Sequence, residues 1–208
     1  LLLQPDGRVV VGGYFTRVQP TGATAAVTRN NLARFNADGS LDAGFNPNPN
    51  AMVLTLAFHV DNKIVVGGGF TSFQPAGDSA PTLRNRIARL NASGTIDSEF
   101  NPNADNGVTA LAVQRDGKIL LGGFFTTLQP VGDASPANRV HLARLNVDGT
   151  LDSEFYPRVD GDVAAIAVQP DGAILVGGDF SSVWGLGTIQ SNRSFIARFN
   201  RDGSLDND

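Results

Sequence analysis

Oxygen-bearing side chains alternate through Asn36-x-Asp38-x-Ser40-x-Asp42, and the spacing returns at Asn91 to Asp97, Asn146 to Asp152 and Asn200 to Asp206. Calcium loops draw ligands at alternate positions in this way, and calcium is the first chemistry to test. The spacing argues against it. Gly39 follows the second oxygen residue directly, whereas an EF-hand loop places its glycine at the sixth position and a bidentate Glu at the twelfth. In the second copy Ser93 stands where Asp38 does, which removes a charge. Asp–Gly is also the dipeptide of a tight hairpin turn. The hairpin reading is preferred, and no metal or other cofactor is expected.

The charges flanking these turns fit the same reading. If Asn36 lies opposite Ser40 across the turn, Arg34 lies opposite Asp42. The same count pairs Arg89 with Asp97, Arg144 with Asp152 and Arg198 with Asp206. Opposite charges directly across an antiparallel pair contribute about 0.2–1 kcal/mol each. A second basic row, Arg29, Arg84, Arg139 and Arg193, precedes the third strand of each copy. It is a candidate rim for binding an anion; the competing role is capping of loop carbonyls, and that role is preferred.

Catalytic constellations are missing from the sequence. The two histidines, His59 and His141, occupy non-equivalent places, and His59 stands where other copies have Gln4, Gln114 and Gln169. His59 is therefore expected to be a tolerated surface substitution. There is no G-x-S-x-G elbow, HExxH or P-loop. Glu99 and Glu154 recur at one repeat position, but a glycosidase needs two carboxyls facing across a cleft, and nothing in the spacing demands that. Cysteine is absent, so thiolate sites and disulfides are excluded. A net charge of −4 gives no electrostatic reason to bind nucleic acid, and no apolar run reaches the roughly 18 residues of a membrane helix.

The elements that hold these residues are set by repetition. ARFNADGSLD begins at Ala33, with relatives at Ala88, Ala143 and Ala197, so the copies lie 55, 55 and 54 residues apart. VVVGGYFT at Val9, IVVGGGFT at Ile64, ILLGGFFT at Ile119 and ILVGGDFS at Ile174 keep the same beat. Self-similarity at this period marks an array of equal units. In the third copy, 108–114 reads as a strand, 115–117 as a turn and 118–128 as a long strand broken by the Gly pair. Residues 129–139 read as a polar loop, 140–146 as a third strand, 147–149 as a turn and 150–155 as a fourth strand. Gly7, Asn62, Gly117 and Gly172 share one turn position, and Asn is the non-Gly residue that best accepts a left-handed backbone.

Four antiparallel strands per unit, with no helical period, predict an all-β array of the β-propeller type. The four blades span 1–48, 49–103, 104–158 and 159–208; an open solenoid of the same units is the alternative. The Gly pairs Gly12-Gly13, Gly67-Gly68, Gly122-Gly123 and Gly177-Gly178 interrupt strong strands, so something must approach the backbone there. The neighbouring unit is the expected cause, with Phe15, Phe70, Phe125 and Phe180 packed nearby; a ligand is the other cause, and four identical occurrences favour packing.

The run L-A-R-[LF]-N-x-D-G-[ST]-[LI]-D, followed by F-N-P and then by A-V-Q-x-D-G-K-I-L-[LV]-G-G-x-F-T, resembles the delta-60 repeat, also called DUF5122. The resemblance covers essentially the whole chain. It implies β-propeller-like repeats, a place in large bacterial secreted or surface proteins or phage structural proteins, and no catalytic residues to carry over. The loops 19–31, 74–86 and 129–139 depart from it by being longer than the usual connection.

In up-and-down blades the tight turns share one face and the long loops share the other. Residues Asp78, Ser79, Asp133, Ser135, Trp184 and Gln190 gather on the loop face, where function usually resides. The candidate binding set is Arg29, Arg84, Arg139, Arg193, Asp78, Asp133 and Trp184, the last expected to be exposed. The expected protein is a non-enzymatic extracellular or cell-surface scaffold or adhesion module. The competing readings are a glycan- or protein-binding propeller with a loop-face pocket and a carboxylate-dependent hydrolase or lyase. The array opens within a strand at Leu1 and carries no polar cap, so its partners are expected to be further blades or other copies of itself, with surface proteins or glycans beyond them.

Overall fold

The computed structural model describes residues 1–207, in four units of antiparallel sheet. Each unit pairs its first strand with the second and the second with the third. The second strands are Val9–Gly12, Ile64–Gly68, Ile119–Gly123 and Ile174–Asp179. Two of them, Ile64–Gly68 and Ile119–Gly123, are buried along their whole length, which is why their sequences run apolar without alternation. The third strands are Leu32–Phe35, Ile87–Leu90, Leu142–Leu145 and Ile196–Phe199. The expected fourth strand is reduced to one bridge per unit: Phe35 to Leu41, Leu90 to Ile96, Leu145 to Leu151 and Phe199 to Leu205.

The long second strand does break at the Gly pair, and the chain beyond the break forms a second small sheet. Thr127–Leu128 pairs with Ala137–Asn138, so part of the expected polar loop is a hairpin. The segment between blades joins it: Pro49 bridges to Phe73 and Ala104 to Leu128. In the fourth unit this sheet has three strands, Arg158–Val159, Ser182–Trp184 and Gln190–Asn192. Loops and interblade segments therefore share one face, opposite the tight turns. Gly7, Asn62, Gly117 and Gly172 all have positive φ (82°, 57°, 82° and 92°), as the turn chemistry requires.

The core lies between units. One cluster joins Val10 and Leu32 of the first unit to Ile64, Val66, Ala88 and Leu90 of the second. A second joins Val65 and Ile87 to Ile119, Leu121, Ala143 and Leu145. A third joins Leu120 and Leu142 to Ile174, Val176, Ala197 and Phe199. The second and third units thus each present a front face to the next unit and a back face to the one before. Among the described residues no core cluster joins the fourth unit to the first.

The Gly pairs have two causes, and the neighbouring unit accounts for only one. A methyl group on Gly12 would overlap Val53 and one on Gly122 would overlap Val163, while one on Gly67 would lie 2.8 Å from Val108 and 2.6 Å from Thr55 of its own unit; each valine belongs to the next unit. The second glycine serves its own unit. Register shifts between Val53 and Thr55, Val108 and Ala110, and Val163 and Ala165 bulge the first strand. The bulge drives the carbonyls of Met52, Gly107 and Asp162 onto Gly68, Gly123 and Gly178. Phe70, Phe125 and Phe180 are buried core residues, and Phe15 would lie 3.3 Å from a methyl group on Gly13.

Candidate functional site

The turns on one face are closed by their own side chains. Asn36 N–H donates to Ser40 O (2.8 Å) and Gly39 N–H to Asn36 O (2.9 Å). Asp38 Oδ1 accepts from Ser40 N–H (2.9 Å) and from Ser40 Oγ (2.6 Å), and these bonds hold its carboxyl below the usual range. The alternating oxygens are thus bonded to one another as a hairpin. No cluster of metal-ligating residues occurs among the described residues.

The Arg–Asp pairs form at the counted register and reach further than the count foresaw. Arg34 lies 2.8 Å from Asp42, and Arg89, Arg144 and Arg198 each lie 2.7 Å from Asp97, Asp152 and Asp206. A second cation, one residue before the second strand, joins three of them: Arg8 to Asp42 (3.3 Å), Lys63 to Asp97 (2.8 Å) and Lys118 to Asp152 (2.7 Å). Burial works against the charged carboxyls of Asp97 and Asp152, but hydrogen bonds from the lysine and arginine outweigh it and hold both below the ordinary value. The first three arginines also stack each on a phenylalanine: Arg34 on Phe45 (4.2 Å), Arg89 on Phe100 (4.4 Å) and Arg144 on Phe155 (4.3 Å). A further donor of each of these three crosses to the next unit's turn, Arg34 to Ala92 O (2.7 Å), Arg89 to Val147 O and Arg144 to Arg201 O. The sequence signal for this was present, since Phe45, Phe100 and Phe155 recur at one repeat position.

His59 is buried, not a surface substitution. It is 2% exposed, its Nε2 lies 2.9 Å from Gly117 O of the next unit, and burial lowers its pKa. It borders a recess of about 390 Å³ between the second and third units, lined also by Lys63, Arg89, Asp116, Lys118 and Asp148. Glu99 and Glu154 are exposed beside the turns, where their backbone N–H groups donate to Asp97 and Asp152 at 3.2 Å.

On the loop face the basic row is turned inward. Arg29 and Arg84 are each 7% exposed. Arg29 donates to Thr28 O (2.8 Å) and Ala43 O (3.2 Å); Arg84 donates to Leu83 O (2.7 Å), Asp97 O (3.2 Å) and Ser98 O (3.1 Å). Arg139 donates to Asn138 O (2.7 Å) and Arg193 to Asn192 O (3.3 Å). The row caps carbonyls. Burial lowers the pKa of Arg84 and Arg139, and the Nε of Arg29, Arg84 and Arg139 finds no protein acceptor. Trp184, expected to be exposed, is half-buried in the small sheet of the fourth unit, with Arg158 stacked 4.7 Å above its ring. Asp78 and Asp133 are exposed at the loop tips, each N–H closing a turn to Pro75 O or Pro130 O at 3.1 Å.

A capping row passed unnoticed in the sequence. Asn50 Oδ1 accepts from Thr71 N–H and Ser72 N–H (2.9 and 3.2 Å), and Asp105 and Asp160 do the same for the residues at 126–127 and 181–182. The backbone donors of Ser182 and Ser181, with the Ser181 hydroxyl, pull the Asp160 pKa down to about 2. Beside Asp105 lies a recess of about 320 Å³ lined by Asn85, Arg86, Asn103, Thr127, Gln129 and Pro136.

Comparison with known proteins agrees with the repeat count. The family described as a domain of unknown function (DUF5122) beta-propeller matches residues 4–45, 61–100, 114–155 and 169–208. No curated protein matches the chain. Among solved structures it is similar to the WD40 β-propeller domain of Doa1 (12% identity, TM-score 0.39, 84% of this chain and 58% of that one). It is also similar to a chain of the Mitotic Checkpoint Complex (14% identity, TM-score 0.39, 86% and 56%). A third likeness is the computationally designed Ika8 protein (10% identity, TM-score 0.29, 84% and 76%). The chain spans just over half the length of the first two.

Proposed function

The chain belongs to the DUF5122 β-propeller family, and we propose that it works as a non-enzymatic scaffold of an extracellular or cell-surface protein, presenting its loop face to proteins or glycans. The observation that carries this reading is where the polar groups go. The arginine and aspartate rows are spent on carbonyls, ion pairs and turns within the fold, so the recurring charges act as structure. The loop tips around Asp78 and Asp133 stand outside those networks, exposed on a rigid support. A second reading, a loop-face pocket for a glycan or peptide, is favoured by the recess beside Asp105.

The test uses the labelled chain on a printed array of polysaccharides and surface proteins. Retained binding that is lost when residues 75–81 and 130–136 become Gly-Ser linkers, at unchanged melting temperature, supports display. Release of new reducing ends from any bound glycan would overturn the non-enzymatic reading. Confinement of the protein to the cytoplasm of its source cell would overturn the location.

A further inference from the structure

The first turn of every unit carries an aspartate, since Asp6, Asp61, Asp116 and Asp171 hold one repeat position. Three of the four are engaged. Asp6 pairs with Arg8 at 2.6 Å, and Asp171 accepts from Ala173 N–H at 2.9 Å. Asp116 pairs at 2.8 Å with Arg201, which crosses from the fourth unit to the third. Asp61 has no hydrogen bond or ion pair among the described residues. The counterpart of Arg201 in the third unit is Val147, an apolar side chain that offers a carboxylate nothing. Both Asp61 and Val147 line the recess of about 390 Å³ between the second and third units.

The rest of the lining says what is missing. Its cations are already bonded, Lys63 and Arg89 to Asp97 and Lys118 to Asp152. Asp148 uses Oδ1 on Thr150 and leaves Oδ2 open among the described residues. His59 is 2% exposed. Gly117 O can only accept, so His59 Nε2 carries the proton and Nδ1 is a bare acceptor, buried with no partner. The recess therefore holds acceptors that want a donor. Val60 and Val147, 44% and 41% exposed, add apolar surface beside them. We propose that it takes an alkylguanidinium group, the side chain of an arginine on a partner polypeptide, with its head on Asp61 and Asp148 and its stem on the two valines. Arg201 on Asp116 is the same chemistry supplied from within the chain at the next boundary. A guanidinium suits the site better than an ammonium, because its planar fork donates in several fixed directions and is weakly hydrated. Its methylene stem covers the valines. The site lies on the turn face, so it stands apart from the loop-face reading above.

The test titrates the 208-residue chain at low salt with two probes, agmatine and the blocked peptide acetyl-Gly-Gly-Arg-Gly-Gly-amide, by calorimetry and by the ¹⁵N resonances of His59. Both should bind saturably, the peptide at least as tightly as agmatine, and binding should move the Nδ1 resonance. Butylurea, which keeps the stem and lacks the charge, should not bind. Asp61→Asn should weaken binding at least tenfold; asparagine accepts the φ of 58° at that position, so the variant keeps its turn. Asp6→Asn, outside the recess, should leave binding unchanged. Val147→Arg should supply the group from within, as Arg201 does, abolishing binding of both probes and raising the melting temperature. Binding of agmatine with exclusion of the peptide would assign the site to a free small cation and overturn the polypeptide source. Absence of saturable binding by either probe, or binding to Asp61→Asn as tight as to the unaltered chain, would overturn the proposal.

Discussion

Gly122 and Gly177 stand at the same place in the third and fourth units, in the near-identical strands ILLGGF and ILVGGD, yet they live in different surroundings. Gly122 is pressed against Val163; Gly177 faces open space. Their partners Gly123 and Gly178 do not differ at all, since each lies against a carbonyl of its own bulged first strand. In the third unit the first glycine answers to the tertiary neighbour and the second to the strand beside it; in the fourth only the second has such a cause. The third unit, covered on both faces, and the fourth, covered on one, therefore form a natural experiment in what stacking contributes.

The largest expected difference between the two units is electrostatic. Asp152 is 5% exposed and bonded to both Arg144 and Lys118; in the fourth unit Ala173 replaces the lysine and Arg198 is half-exposed. Removing one partner of a buried pair costs about 3–5 kcal/mol because a charge is left without compensation. Asp152→Ala should approach that loss, and Asp206→Ala should cost less, about 1–2 kcal/mol, because its arginine partner is 39% exposed and screened by solvent. Urea midpoints for the two variants check this. The same pairs set an acid limit. Asp97 and Asp152 have folded pKa values below the ordinary 3.8, so their stabilisation is complete above that value and is lost as pH falls through the folded pKa. Stability should be flat above about pH 5 and fall steeply below about pH 4, and Asp152→Asn should flatten that fall. Equal costs for Asp152→Ala and Asp206→Ala would remove the contrast between covered and open units.

Packing gives the next effect. Leu142 is fully buried between the third and fourth units, while Ile196 is 62% exposed. Leu142→Ala should cost about 3 kcal/mol through lost transfer energy and a residual cavity, and Ile196→Ala should change stability by no more than about 0.5 kcal/mol. Chemical denaturation distinguishes them. A large loss at Ile196 in a dilute, monomeric sample would mean that its face is covered within the chain.

The glycine pairs come third. Gly122→Val should cost about 1–3 kcal/mol by overpacking, whereas Gly177→Val should be neutral or slightly favourable, valine being the better strand former. Gly123→Val and Gly178→Val should both be damaging, because the intruding atom is backbone in either unit. If Gly177→Val proved as harmful as Gly122→Val, the socket account of the first glycine would fail.

How much of the molecule is legible in its sequence depends on the range of each constraint. The DG turns, the left-handed site at Gly7, Asn62, Gly117 and Gly172, and the Arg34–Asp42 register depend on a few adjacent residues, and composition reports them. The two causes of a Gly–Gly pair look identical in sequence, because one letter records both a bulge carbonyl and a neighbour's valine. His59 looked exposed because its place is usually glutamine, yet Gln4 and Gln114 are also buried, each 5% exposed, beneath their own turns. Trp184 is sheltered by Arg158, a residue outside the repeat pattern, and no periodicity points to it. The basic row announced charge, but a guanidinium facing carbonyls and one facing a ligand have the same spelling.

The smallest effect lies at a position where the four units differ in side chain but share a backbone. Asn31, Arg86, His141 and Phe195 all have φ between 60° and 68°, the left-handed region. Each is held there by two hydrogen bonds: its N–H donates to Phe15, Phe70, Phe125 or Phe180 O, and its own O accepts from a glycine of the pair. For an L residue other than Gly or Asn that conformation costs roughly 1–2 kcal/mol. The third and fourth units again diverge. His141 offsets its strain, since Nδ1 lies 3.0 Å from Gly123 O and the ring donates to it. Phe195 is 66% exposed, and its ring adds little to set against the strain. Phe195→Asn, which places in the fourth unit the residue the first already uses, should therefore raise stability by about 0.5–1 kcal/mol. His141→Asn should gain nothing, because the ring bond is lost with the strain. Melting curves of the two variants decide it: a loss at Phe195, or a gain at His141 as large as that at Phe195, would show that backbone strain is not what separates the two positions.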